Sequence, residues 1–238
     1  MTEPTPQPPA SRPRALTAVL VAVIAVGLLV AGGGLAVALG IGSTATPTAD
    51  SVDAGFSRDM SRHHLQAVEM ANLAQTNSSD DEVKRLAFDI SATQTNQAGR
   101  MQGWLALWGL PATSGEVMGW MDDGAMSGHD MGGMSGMGGA HGVDPAAAAD
   151  GAVMPGMATE TELAQLRGAT GTAFDVLFLQ LMTRHHQGGL EMAQYGEEHA
   201  SLPAVRSLAR SIAQSQTAET TTMEQMLRSR GGSPLPAP

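Results

Sequence analysis

The sequence predicts an all-α protein: a four-helix bundle made from two duplicated helical hairpins, preceded by one N-terminal transmembrane helix. Three observations carry this. First, "MSRHHLQAVEM" (60–70) returns as "MTRHHQGGLEM" (182–192), a constant offset of 122 residues from Met60 to Met182. Second, aromatics make up only 3% of the chain, while Met contributes 16 residues beside abundant Ala and Leu. These are good helix formers, and runs of β-branched and aromatic strand residues are missing. Third, an uncharged apolar stretch lies near the N-terminus.

That stretch, "ALTAVLVAVIAVGLLVAGGGLAVALGIG" over 15–42, follows a Pro-rich head (1–14) with Arg12 and Arg14. A secretory signal needs an apolar region of roughly 7–15 residues and a spanning helix about 20. Its length favours a membrane anchor, and the two Arg favour a cytoplasmic N-terminus with the rest outside. The alternative is a long signal peptide cut near "STA" at 43–45, giving a secreted protein. Both place the working domain outside the cytoplasm.

A linker (43–50) leads into a bundle domain over 51–231, with hairpins at about 51–109 and 159–231, and a tail over 232–238. In the first hairpin, Ser79 and Glu82 have capping-box spacing and start the second helix. "WGLP" stops it at Gly109 and Pro111. The stretch over 111–158 is rich in Met, Gly and His and reads as a flexible loop. The second hairpin opens at Thr159, with Glu162 in capping-box position and Thr172 as a fresh N-cap. Ser201 and Pro203 suit the start of the last helix, and Gly231 a left-handed C′ position. The same offset aligns Phe56 with Phe178, Leu86 with Leu208, Ile90 with Ile212, Gln94 with Gln216 and Met101 with Met223. Neither hairpin can bury its apolar stripe alone, so the two pack together.

At about 100° per residue, Met60, His63, His64 and Met70 share one helical face with Phe56, Ala67, Ala71 and Ala74, while Arg62 and Glu69 point away. The second copy does the same with Met182, His185, His186 and Met192. Small residues on that face, among them Gly188 and Gly189, let helices come close. Four interior imidazoles need partners. Metal coordination is one solution and hydrogen bonds between helices are the other.

The residue types select among metals. Glu-x-x-His, the signature of di-iron bundles, is absent. Met-x-x-His occurs three times, at Met60–His63, Met126–His129 and Met182–His185. Thioethers favour soft ions, above all Cu(I), and imidazole also suits Cu(II). Silver, another soft ion, fits the same donors. In the loop, Met126, His129, Met131, Met134, Met137 and His141 read either as a capture segment for soft ions or as a permissive Met-rich linker. Met is otherwise an ordinary core filler.

Other classes are excluded or disfavoured. A net charge of −10 with a single Lys argues against nucleic acid. Without Cys there is no disulfide, zinc-thiolate site or iron–sulfur cluster. HExxH is missing, which removes the zinc-protease reading. No nucleophile–base pair and no carboxylate cluster is visible, so binding rather than catalysis is expected.

"FSRDMSRHHLQAVEMA", "WLALWGLP" and "GTAFDVLFLQLMTRHHQGGLEMAQ" resemble the domain of unknown function 305 family, from about Phe56 to Leu227. The resemblance implies an exported, ferritin-like four-helix bundle, copper-binding in some members. Carried to matching positions, it implies metal contacts by Met60, His63, His64 and Met70, and by Met182, His185, His186 and Met192. Gly189 departs from the Ala usual there. The expected function is membrane-anchored, extracytoplasmic copper binding, for sequestration or for handover to a partner protein the sequence does not identify. The alternatives are a metal-dependent oxidase on the same bundle and a metal-free helical interaction module.

Overall fold

A computed structural model of the chain describes residues 14–38, 46–113, 116–121 and 143–238. The loop candidates Met126, His129, Met131, Met134, Met137 and His141 lie outside the described residues. Helices follow in the order α1 (Arg14–Ala38), α2 (Val52–Asn77), α3 (Asp81–Leu107), α4 (Pro145–Ala149), α5 (Glu160–Gly168), α6 (Gly171–His199) and α7 (Pro203–Ser229). Among the described residues there is no strand.

Two compact units are present, Met1–Thr46 and Pro47–Pro238. In the first, the stretch Thr17–Leu35 has a mean hydropathy of 2.6 and exposes its Val and Leu side chains. It is long and apolar enough to cross a membrane.

In the second unit α2 pairs with α3, α6 pairs with α7, and α2 packs on α6. The two central helices run antiparallel. Phe56, early in α2, touches Gly196, late in α6, and a Cβ added there would lie 2.7 Å from the phenyl ring. At the other end, the Asn77 side chain donates to the carbonyls of Arg167 and Ala169, just before α6 begins. The antiparallel crossing gives the core two clusters. One contains Phe56, Met60, Met101, Met192 and Ile212, and the other contains Met70, Ile90, Phe178, Met182 and Met223.

The helix starts are partly local and partly long-range. At α5 the expected box is present: Thr159 Oγ1 accepts from Glu162 N–H (3.1 Å) and Glu162 Oε2 from Thr159 N–H (2.9 Å). At α3 the cap is Asp80, not Ser79, with Oδ1 accepting from Glu82 N–H at 2.8 Å. Both residues carry an acceptor, and a one-position shift in register decided between them. The N-cap of α6 is Thr170 rather than Thr172. Ser201 makes no side-chain cap at α7. The buried carboxylate of Asp53, on α2, accepts instead from Ser201 N–H (2.9 Å) and Leu202 N–H (2.8 Å). Gly109 (φ 69°) and Gly231 (φ 73°) end α3 and α7 in the left-handed region.

The described flanks of the Gly-rich stretch are packed rather than loose. Ala152, Met154, Met157 and Ala158 are buried, forming a strap that crosses α6. Two glycines make the approach: Gly156 adopts φ 76°, and a Cβ on Gly188 would stand 2.1 Å from the Pro155 oxygen. Gln66 on α2 locks the strap by exchanging two hydrogen bonds with the Ala158 backbone, at 2.8 and 2.9 Å. The composition that reads as flexible also permits close backbone packing.

Candidate metal centre

The α2–α6 crossing brings all four repeated histidines into the interior, and His63, His64, His185 and His186 have no solvent exposure. Arg62, between the pairs' Met and His, points out to solvent as helical periodicity requires. At the centre the rings of His63 and His185 meet with centroids 3.8 Å apart and planes tilted by 36°. His186 lies beyond, its ring centroid 6.4 Å from that of His185.

Three imidazoles are oriented from behind by oxygen acceptors. His63 Nε2 faces the Pro155 carbonyl at 3.1 Å, His64 Nε2 faces Gln97 Oε1 at 2.8 Å, and His186 Nε2 faces Glu219 Oε2 at 2.7 Å. A carbonyl, amide oxygen or carboxylate can only accept, so each Nε2 carries the proton and donates. That assignment leaves the Nδ1 lone pair of each ring bare, and all three Nδ1 atoms are buried without a hydrogen-bond partner. His185 has no partner of acceptable geometry at either ring nitrogen.

Three of the four imidazoles are held neutral. Burial pushes His63 down to about 4, against the donation to Pro155 and helped by the nearby His186. Burial and then the charge of His63 push His64 down to about 3. His185 is driven well below its ordinary value by burial and then by its His neighbours. Neutral imidazoles with free lone pairs are the form that ligates metal.

The four methionines of the repeat are also fully buried, but they are divided. Met60 and Met192 stand in one apolar cluster, Met70 and Met182 in the other. Each cluster thus receives the leading Met of one copy and the trailing Met of the other. Among the described residues no three His, Asp or Glu side chains gather at metal-ligand geometry. The nearest pair, His63 and His185, meets ring against ring at a tilt of 36°.

Several site residues escaped the sequence reading. Gln97 and Glu219 are related by the same offset of 122 as His64 and His186, so aligning the copies one turn beyond Gln94 and Gln216 would have found them. Those two glutamines are buried as well, with Gln94 Oε1 and both amide atoms of Gln216 lacking partners. Gln216 stands beside the His63 ring, since a Cβ on Gly189 would lie 2.8 Å from its Nε2 and 3.0 Å from His63 Cε1. The Pro155 carbonyl had no local signal. Asp59, one turn before His63, is a further buried carboxylate, raised by burial and accepting from Met118 N–H and Trp120 Nε1–H at 2.8 Å each. It fixes the near end of the Met-rich stretch to α2.

Comparison with known proteins agrees with this architecture. The family profile described as Domain of unknown function (DUF305) matches residues 53–227. The crystal structure of a DUF305 protein from Streptomyces coelicolor is 40% identical, with a TM-score of 0.65, covering 79% of this chain and 98% of that one. A DUF305 fragment from Deinococcus radiodurans is 29% identical, with a TM-score of 0.57, covering 75% of this chain and 96% of that one. CopM in its Cu(I)-bound form shares the fold at 23% identity and a TM-score of 0.52, covering 76% of this chain and 98% of that one. No protein with a curated description matches the chain significantly. A match over most of the bundle, a relative at 40% identity and the duplicated hairpins together identify the chain as a member of the DUF305 family.

Proposed function

We propose that this protein binds copper outside the cytoplasm, tethered by α1, and sequesters it or hands it to another protein. The observation that carries the reading is the set of bare, buried Nδ1 atoms on His63, His64 and His186, each on a ring whose Nε2–H is already committed to an oxygen. Metal-ligating histidines are oriented in this way, donating their second ring nitrogen to a carbonyl or carboxylate behind them. Leaving such groups unpaired in a core costs roughly 1–3 kcal/mol apiece, which a metal bond would offset.

The donor set fits copper by type. Imidazoles of His63, His64, His185 and His186 would hold either oxidation state, and the thioethers of Met60, Met70, Met182 and Met192 would favour Cu(I) or the similarly soft Ag(I). Binding would require His63 and His185 to give up their ring contact and turn their lone pairs to the ion. CopM, a protein of the same fold, is known in Cu(I)-bound, Cu(II)-bound and Ag-bound forms, which supports the choice of metal. The Streptomyces coelicolor relative is named as a candidate secreted protein, and Arg12 and Arg14, ahead of the apolar stretch, suit an outward-facing domain.

The test is a Cu(I) titration of the full chain in detergent against a competing chelator, beside a variant with all four histidines changed to Ala, with helicity followed by circular dichroism. Tight binding that disappears in a folded variant supports the reading. Equal binding by both proteins moves the metal to the Met-rich stretch, and no binding by either removes copper from the function.

A further inference from the structure

The two halves are copies, yet one hydrogen bond breaks their equivalence. His64 and His186 correspond, and so do Gln97 and Glu219, each acceptor lying on the helix that partners the histidine's own. His64 Nε2–H donates to Gln97 Oε1 at 2.8 Å, and His186 Nε2–H donates to Glu219 Oε2 at 2.7 Å. Distance and spacing match, with Glu219 the less buried of the two acceptors. The charge does not.

The side chains beside the four histidines are otherwise thioethers and carboxamides, and the buried carboxylate of Asp59, one turn before His63, is already held by Met118 N–H and Trp120 Nε1–H. Neutral donors replace a cation's hydration dipoles but leave its net charge buried, and that cost rises steeply with charge. From the geometry we infer that Glu219, acting through His186, is the residue that sets the oxidation-state preference of the centre, raising its affinity for Cu(II) more than for Cu(I). The inference rests on the copper-binding reading. Its sign follows from Coulomb's law: one carboxylate attracts a divalent ion about twice as strongly as a monovalent ion at the same place. On a logarithmic scale, the affinity lost with the carboxylate is therefore about twice as large for Cu(II). Glu219 is a positioning residue, since its contact is with His186 and not with the ion.

The molecule contains its own control. Gln97 shows that a carboxamide holds the equivalent imidazole, His64, at 2.8 Å, so Glu219→Gln keeps the hydrogen bond, the shape and the fold while removing one charge. Gln97→Glu adds a carboxylate at the equivalent place. Exchanging both moves the charge to the other half.

The experiment uses the full chain in detergent micelles and measures three quantities for the wild type, E219Q, Q97E and the double exchange. These are affinity for Ag(I) as a redox-inert monovalent probe, affinity for Cu(II) against a competing chelator, and the Cu(II)/Cu(I) potential of the bound ion. Because E219Q keeps the orienting hydrogen bond, the expected loss is that of the charge alone. Accordingly, E219Q should lose about 10-fold for Ag(I) and about 100-fold for Cu(II), and its potential should rise by about 59 mV for each tenfold change in the ratio. Q97E should move both in the opposite direction, and the double exchange should return near the wild-type ratio. Equal losses for the two ions in E219Q, with the potential unmoved, overturn the inference while leaving copper binding intact. A wild type that binds neither ion overturns the copper reading and this inference with it.

Discussion

His63 and His185 lie ring on ring, with centroids 3.8 Å apart, and each occupies the same place in its own copy of the repeat. The contact therefore sits where α2 and α6 cross, close to the local two-fold relation between the hairpins. Two imidazoles can rest this close in a dry interior only while both are uncharged. The same neutrality that makes the contact tolerable keeps the lone pairs available. Stability and ligand readiness consequently depend on one variable, the proton.

This gives a pH dependence with a definite sign. In the unfolded chain these histidines titrate near 6.5, whereas in the fold His63 is lowered to about 4 and His64 to about 3, with His185 lowered too. Between those values the unfolded state binds protons that the native state refuses. Stability is then complete above about pH 7, begins to fall as pH drops through 6.5, and continues falling towards the native values near 4 and 3. Each such proton contributes a slope of about 1.4 kcal/mol per pH unit. Denaturant midpoints of the metal-free protein, followed from neutral pH down to about 5, should decline with a slope of more than one proton. A flat profile would mean that the rings are charged or hydrated in the native state.

His185 is the costliest member of the group for the metal-free fold, because neither of its ring nitrogens has a partner of good hydrogen-bond geometry and only the His63 backbone approaches it. Replacing it by an apolar side chain of similar bulk removes that cost. His185→Leu should stabilise the metal-free protein by about 1–2 kcal/mol in urea denaturation while weakening copper binding at least tenfold. His64→Leu should do the reverse to stability, since it strands the buried Gln97 amide oxygen that now accepts from His64. If both substitutions destabilise equally, the unpaired nitrogens of His185 are satisfied by water in solution.

The contrast between these two histidines marks how far the sequence was legible. The offset of 122 was enough for the hairpins, for the packing of one against the other, and for the burial of His63, His64, His185 and His186. It also contained Gln97 and Glu219, which differ in charge but match in position. Three features were not legible because their partners are remote in sequence. Asp53 caps α7 from 148 residues away, the Pro155 carbonyl reaches His63 from 92 residues away, and Asp59 holds Trp120 from 61 residues away. Local spacing rules describe neighbours along a helix, and none of these contacts is between such neighbours. The choice of Asp80 over Ser79 failed for the opposite reason, two equivalent acceptors standing side by side.

The strap over His63 depends on the missing side chain of Gly188. In the interior of α6 helix propensity alone would favour Ala by up to about 1 kcal/mol. A Cβ there, however, would meet the Pro155 oxygen at 2.1 Å and carbon at 2.3 Å, and backbone cannot step aside as a flexible side chain does. Gly188→Ala should push the strap off, break the His63–Pro155 hydrogen bond and destabilise by about 1–3 kcal/mol. Amide exchange over 152–158 should accelerate. Gly103→Ala, in α3 with no atom near the added Cβ, should instead stabilise by about 0.5–1 kcal/mol. Slow exchange across the strap in Gly188→Ala would show that it closes without this contact.

The division of the methionines bears on how many ions the centre takes. Met60 and Met192 lie on one side of the His63–His185 contact and Met70 and Met182 on the other, in separate apolar clusters. If thioethers ligate, each side offers its own pair. Leu is close to Met in volume, and such exchanges in a packed core usually cost less than about 1.5 kcal/mol, so the substitution removes a ligand atom and little else. The double variant Met60→Leu with Met192→Leu should keep its helicity and thermal midpoint but lose about half of the Cu(I) capacity measured against a chelator. Adding Met70→Leu and Met182→Leu should remove the thioether-dependent remainder and leave weaker binding by imidazole alone. Loss of the entire capacity in the first double variant would instead point to one ion shared across the crossing. Unchanged capacity in the fourfold variant would make these residues core packing, which is the ordinary role of a buried methionine.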